Sequence, residues 1–523
     1  DLSGEPVRRI VIDLETGPLG PPAPDDFVLP DLESNIFERA SAMQRSRIEY
    51  GPPASLGNVV RLDLFKAIQF AVENSRTYQS EMEELYLAAL NVTLERHLFT
   101  PRPFVTSELR YTGGQQSVDY RSALTATQRV GVRQRLPYGG EIVAEGLVSF
   151  INGLRGNVAD GENAQLALRG SLPLWRGAGL VNLENLVSSE RELIYATREF
   201  ESFRRRFAVE IATSYFRSLI RYQRLRNRLV NYRNLSDLVI RSEALFAAEK
   251  TNALELQRAQ QSLLQAEDQL NTAQQVLETD LDDFKLLIGM PIGQPLELVA
   301  IEVAVGELDA AMGDPEALAI RYRLDLQTAR DRIDDARRGI QIAENRLGPD
   351  LNLTGGATLG NRSGEPARRI DNDTAQYDAG LVLDLPIDRL PERNQYRRAL
   401  IFYEQAKRQS VEVEQNVLTS VRERERGIRA AASTLRIQRA GIDLARKRLE
   451  FANERLLTVT TNSTNSTRDV VEAQSSLLSA QDSFDAARAD QQIQMLQFLR
   501  DTGTLRVDPA AGMLGTAMSR KSE

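Results

Sequence analysis

Two carboxylates, Asp469 and Glu472, stand three residues apart in a stretch of helical periodicity, which puts them on one face of a helix. Their chemistry is electrostatic, because the companions that covalent catalysis requires are missing. The 523-residue chain has no Cys and one His, and it contains neither His-Glu-x-x-His nor a phosphate-cradling Gly-x-x-x-x-Gly-Lys. Thiol catalysis, cysteine zinc sites and disulfides are thereby excluded. His97 stands at a helix end near Phe99 with no triad or ligand set around it and reads as a packing or capping residue. Asp280, Asp282 and Asp283 lack the glycine and spacing of a calcium loop and read as helix surface. The sequence is that of a non-enzyme, with no cofactor and no metal expected.

The elements that position the carboxylates follow from composition and repetition. Aromatics make up only 6 % of the chain, and much of its 42 % hydrophobic content is Ala and Leu within Glu-, Arg- and Gln-rich text, which suits long packed helices. No stretch approaches the roughly 18 uncharged apolar residues of a transmembrane helix, so any membrane crossing must use β-strands. The net charge of -8 is spread along the chain, and basic runs such as Arg204-Arg205-Arg206 alternate with acidic ones, so no nucleic-acid partner is expected. The absence of Cys fits an extracytoplasmic bacterial protein. The chain starts at Asp1 with no apolar leader, as a form whose signal peptide has been removed would.

An internal duplication organises the rest. Ala259-Gln260, Ser262-Leu263-Leu264, Ala266 and Asp268 recur as Ala473-Gln474, Ser476-Leu477-Leu478, Ala480 and Asp482, an offset of 214 positions. Arg241 falls over Arg455, Phe284 over Phe498 and Gly289 over Gly503. Farther upstream, Tyr78-Gln79 and Ala88 match Leu326-Gln327 and Ala336 at an offset of 248, so about 34 residues are inserted in copy one between about 100 and 172. There, residues 128–136 and 141–151 alternate around Pro137-Tyr138-Gly139-Gly140 and predict an extra β-hairpin. Repeat 1 spans 55–289, with a helix at 64–98, strands at 103–112 and 163–174 within the hairpin region 101–174, and a helical hairpin at 182–287. Repeat 2 spans 315–503, with a helix at 315–346, a β-hairpin at 349–386 and a helical hairpin at 392–500. An extended Pro-rich, acidic segment at 1–54, a connection at 290–314 and a tail at 504–523 complete the plan, with Gly512 onward read as flexible.

In this order and duplication the chain resembles the TolC-like outer membrane efflux protein family over roughly 55–505. The resemblance is carried by the repeated Ala-Gln-x-Ser-Leu-Leu blocks, by Pro101, Pro103 and Pro349 at strand starts, and by Leu172-Pro173-Leu174-Trp175-Arg176-Gly177. It implies a mainly α fold with a β-barrel portion. Long antiparallel helices of three protomers form an α-barrel continuous with a transmembrane β-barrel in the bacterial outer membrane. The implied partners are a homotrimer, a periplasmic adaptor and, indirectly, an inner-membrane transporter, with lipid around the barrel. The family's twelve-stranded barrel takes four strands per protomer, and the hairpin at 128–151 is expected as an appendage at the barrel's edge or mouth. Unpaired strand edges in lipid demand closure by other chains, which supports the oligomer independently.

The resemblance also assigns sites. Asp469 and Glu472 match two acidic positions that line the closed periplasmic aperture, where rings of carboxylates favour cations; Asp469 equally suits an ordinary helix N-terminus. The basic residue that helps hold that aperture shut is matched by Asn465, a departure, with Arg468 close by as the other possible latch residue. The helix reversals near 247–252 and 460–467 are the ends that meet an adaptor, through Glu249, Lys250, Thr251, Asn252, Glu255, Ser463 and Thr464. Thr251 or Asn252 is expected as an N-cap. Tyr111, Phe150, Trp175 and Tyr377 are candidates for a membrane-interface belt. A soluble extracytoplasmic coiled-coil scaffold or adaptor is the alternative, and it has no need of paired strands.

Overall fold

The computed structural model describes residues 59–113, 122–155, 161–299, 314–362, 366–367, 369–385, 387–457, 466–508 and 513–516. The N-terminal segment 1–54 lies outside them. Each copy begins with a short strand and a pair of helices. In copy one these are β1 (Val60–Leu62), α1 (Leu64–Asn74) and α2 (Arg76–His97). In copy two the equivalents are β6 (Leu296–Leu298), α5 (Pro315–Tyr322) and α6 (Leu324–Asn345). The single helices expected at 64–98 and 315–346 are thus each two, broken at Ser75 and Arg323, whose extended backbones start a second helix. β1 and β6 pair in parallel and tie the copies together, with Val60 opposite Leu296.

Strands β2 (Arg102–Gly113), β3 (Ser122–Arg135), β4 (Glu141–Arg155) and β5 (Gly161–Pro173) follow α2, and β7 (Asp350–Gly360) and β8 (Asp371–Asp384) follow α6. All six form one antiparallel sheet in the order β2-β3-β4-β5-β7-β8. This corrects the expectation of an appended hairpin: β3 and β4 lie inside the sheet, paired along their length with β2 on one side and β5 on the other. They span Ser122 to Arg155, 34 residues, the insertion measured by the shift in repeat register. The tight turn at Leu136–Gly140 puts Gly139 and Gly140 at positive φ, where a Cβ on Gly140 would stand 1.9 Å from the Ser171 carbonyl oxygen.

Register sorts the sheet into two faces. Val132, Ala144, Leu168, Ala357 and Tyr377 are successive cross-strand partners on one face. The next row on that face holds Val105, Val130, Gly146, Leu166 and Leu359. The larger side chains of this face are exposed: Tyr377 is 81 % exposed, and Leu109, farther along β2 on the same face, 71 %. The opposite face is polar, with Arg133 paired to Glu141 at 3.0 Å and Arg169 to Glu145 at 3.1 Å.

Two long helical hairpins leave the sheet. α3 (Glu184–Ala247) and α4 (Ala253–Ile288) come from copy one, α7 (Leu390–Leu457) and α8 (Ser466–Asp501) from copy two. Near the sheet α3 packs on α2 and α6, and α6 on α7; toward the far tips α3 packs on α4 and α8, and α8 on α7. Four helices therefore lie side by side at either level. Repeat-matched residues occupy matched places: Phe284 and Phe498 are buried, as are Ala259 and Ala473. The main core lies between these levels, where Tyr78 meets Phe200, Phe203 and Phe207 in a run of ring contacts and the Tyr215 hydroxyl donates to the Val299 carbonyl. Near the sheet, where α3 meets α6, the contact between copies is polar, with Arg191 to Asp335 at 3.0 Å and Arg198 to Asp331 at 2.6 Å. Beyond α8, β9 (Leu505–Asp508) pairs with β10 (Met513–Thr516), so Met513–Thr516, expected in a flexible tail, form a hairpin strand whose backbone is paired.

Candidate functional site at the helical tips

α3 ends at the first tip in a turn closed by Glu249 N–H to the Phe246 carbonyl at 3.0 Å and Lys250 N–H to the Leu245 carbonyl at 2.9 Å. These are the two bonds of a Schellman motif, with Glu249 in the left-handed position at φ 58°. Asn252 is the N-cap of α4: its side-chain oxygen accepts from the Glu255 N–H at 2.9 Å. Glu249, Lys250 and Asn252 are exposed, and Thr251 is half-buried. Glu255 departs from the exposed charge expected there. It is buried, and its carboxylate is held by Arg258 at 2.6 Å.

At the second tip, Ser463, Thr464 and Asn465 lie outside the described residues. α8 starts at Ser466 and buries Val470 and Ala473 in a small core with Leu235, Leu238, Ala452 and Leu456. Asp469 and Glu472 are on the same side of α8, and each meets an arginine of the antiparallel α7: Arg455 to Asp469 at 3.1 Å and Arg448 to Glu472 at 2.7 Å. Arg448 and Arg455 are seven residues apart, two turns of helix, so they rise along one stripe as the acids descend along the other. The side chains stay in contact with water, Asp469 at 36 % and Glu472 at 55 % exposure. Arg468, the other possible latch residue, is exposed on the first turn of α8.

The repeat shows what sequence reasoning missed. The 214-position offset puts Glu255 and Arg258 where copy two has Asp469 and Glu472. Copy one pairs its acid within α4, whereas copy two pairs its acids across two helices. Arg455 was visible in the sequence as the register mate of Arg241, and a basic residue facing an acidic helix start across a hairpin was the available signal.

At the other end of the helices, Tyr111 and Phe150 share the apolar face near the ends of β2 and β4 farthest from the helices, and Tyr377 sits on it within β8. Trp175 lies at the helical end of the sheet, its carbonyl accepting from Asn345 at 3.4 Å. All four are exposed. His97 is the last residue of α2; the Thr100 hydroxyl donates to its carbonyl at 2.8 Å and lies 3.1 Å from its Nδ1. Among the described residues no cluster of His, Cys, Asp or Glu could hold a metal ion, and no helix is long and apolar enough to cross a membrane.

A duplicated chain with one two-faced sheet and two long helical hairpins invites comparison with known proteins. Residues 317–504 match the family described as outer membrane efflux protein. The resemblance holds. Among solved structures, the chain is similar to the transmembrane channel CusC, with a TM-score of 0.66 and 15 % identity over 87 % of this chain and 98 % of that one. VceC, an outer membrane protein of Vibrio cholerae, aligns with a TM-score of 0.64 and 15 % identity over 84 % of this chain and 96 % of VceC. The CmeC outer membrane channel of Campylobacter jejuni gives 0.63 and 14 % over 84 % and 85 %. The fold is that of these channels. No curated protein sequence matches the chain.

Proposed function

We propose that the chain is the protomer of a homotrimeric exit duct of the bacterial outer membrane. The duct receives substrates from a periplasmic adaptor and an inner-membrane transporter and passes them outward without chemistry. The observation that carries this reading is the sheet: exposed Val, Leu, Ile, Phe and Tyr dominate one face, ion pairs mark the other, and both edges, β2 and β8, are open. In water such a face exposes apolar area at about 25 cal/mol per Å², and in lipid such edges leave backbone groups unpaired. A closed barrel of several protomers removes both costs, with lipid outside and water within. The helices then extend into the periplasm, and the tips at Glu249–Asn252 and 463–464 are the surfaces that meet an adaptor.

Three copies of Asp469 and Glu472 would stand as two acidic rings at the inner aperture, with Arg448 and Arg455 balancing them inside each protomer. The test is single-channel recording in planar bilayers of wild type beside Asp469→Asn/Glu472→Gln. Cation-selective pores that lose selectivity in the double variant are expected. Pores with unchanged selectivity would remove the aperture assignment and leave the duct. A folded trimer that forms no pore would sink the duct and return the chain to a coiled-coil scaffold.

A further inference from the structure

The hairpin β3–β4 is built into the middle of the sheet. Its pairing with β2 runs from Ser122 opposite Gly113 to Arg133 opposite Arg102, and its pairing with β5 from Glu141 opposite Ser171 to Ile151 opposite Gly161. Those lengths match the roughly 9–11 residues a tilted strand needs to cross a bilayer. Its apolar positions, Val130, Val132, Ile142 and Phe150, are exposed on the face shared by the other four strands. Its charged positions, Arg133, Glu141 and Glu145, pair on the opposite face. An appendage outside the barrel would have no reason to keep both alternations in step with the sheet.

Resting on the duct reading, we infer that the trimer closes an eighteen-stranded barrel and that β3–β4 widens the exit beyond the twelve-stranded plan. Six strands per protomer place the edge strands β2 and β8 in opposite directions, so β2 of one protomer continues the antiparallel ladder on β8 of the next. Eighteen strands about 4.8 Å apart and tilted by about 40° enclose a circle about 36 Å across, against about 24 Å for twelve. Four helices per protomer at each level make a ring of twelve in the trimer, which at about 8–10 Å spacing measures about 31–38 Å across. The wider barrel therefore continues the helical tube at its own girth, whereas twelve strands would taper it to a neck. The cargo this suits is bulky: a solute or chain that a twelve-stranded exit would hold back.

The decisive experiment is electron cryomicroscopy of the intact detergent-purified protein, with strands counted in the barrel. A second sample, lacking residues 122–155, keeps β2 and β5 antiparallel and joins them by residues 114–121 and 156–160. Polymer exclusion adds a functional readout, with polyethylene glycols of graded size applied to the outer side of single channels. Expected are eighteen strands in the full chain, twelve in the deletion, and a polymer size limit in the full chain about one and a half times larger. A trimer with twelve strands and the hairpins lying off the wall overturns the inference and keeps the duct, as does an equal size limit in both proteins. The absence of any trimer or pore overturns the duct and the widened exit together. If the deletion does not fold, the strand count of the full chain decides alone.

Discussion

Three helices close in the same hydrogen-bonded turn, and the residue in its left-handed position distinguishes the main core between the two helical levels, the belt of the protomer, from the tip. α4 ends with Gly289 N–H to Leu286 and Met290 N–H to Lys285, and α8 with Gly503 N–H to Arg500 and Thr504 N–H to Leu499. In the belt another backbone lies against the cap: a Cβ on Gly289 would be 2.2 Å from the Asn74 carbonyl oxygen, and one on Gly503 2.9 Å from Tyr322. These contacts fall at the α1–α2 and α5–α6 breaks, so each glycine lets one helix end seat against the start of its own copy. At the tip the same turn carries Glu249, exposed to solvent. Glycine is demanded by close backbone approach where the core is made. The tip, with no such demand in the protomer, tolerates a non-glycine residue in the left-handed region.

The comparison can be broken most sharply at Gly289. Gly289→Ala is expected to destabilise by about 3 kcal/mol or more, through left-handed strain and the Asn74 clash, read as a lowered unfolding midpoint. A loss no larger than a few tenths would show that the belt caps are not constrained by packing. A smaller effect is expected between belt and tip, where Asn227 donates to Asp482 at 3.1 Å and to Asp485 at 3.2 Å, and Arg228 pairs with Asp482 at 2.9 Å. Burial raises the Asp485 carboxyl above the usual range and the Asp482 charge adds to this, against the Asn227 bond and the charges of Arg488 and Arg224. The folded state therefore holds this proton more tightly than the unfolded chain. Its contribution to stability is fully present below the ordinary aspartate value, about 3.9, and is lost as pH rises through the raised folded value. Asp485→Asn should flatten that decline in unfolding midpoints measured from about pH 4 upward; an unchanged profile would place the pH dependence elsewhere. The smallest effect belongs to the tip. Glu249→Gly removes the left-handed cost at some expense in chain entropy and should slow hydrogen exchange of the Glu249 and Lys250 amides by about two- to fivefold. Faster exchange would mean that the glutamate side chain itself secures the turn.

The long helices were legible because periodicity and duplication repeat over many turns, and α3, α4, α7 and α8 begin and end within about two residues of expectation. The breaks at Ser75 and Arg323 were not, because apolar spacing runs on through them and only the cap glycines, far away in sequence, seat against them. The hairpin at 122–155 was located by the jump in repeat register, yet its place between β2 and β5 was misread. Strand order depends on which edges meet, which no local pattern records. The shared face of Asp469 and Glu472 was read from a spacing of three, whereas Arg448 and Arg455 required knowing how α7 and α8 align. The burial of Glu255 was missed because an acid in a first helical turn ordinarily faces water.

The sheet's connectivity also bears on how the chain acquires its structure. Four of its five strand pairings join neighbours in sequence, and the fifth, β5 with β7, sets Gln165 opposite Gly360. Nearby segments meet quickly, whereas a closure across so long a stretch is slow. Copy one and copy two can each raise their own hairpins early, and the β5–β7 seam, closing last, becomes the step at which a nascent protomer is committed to one sheet instead of two.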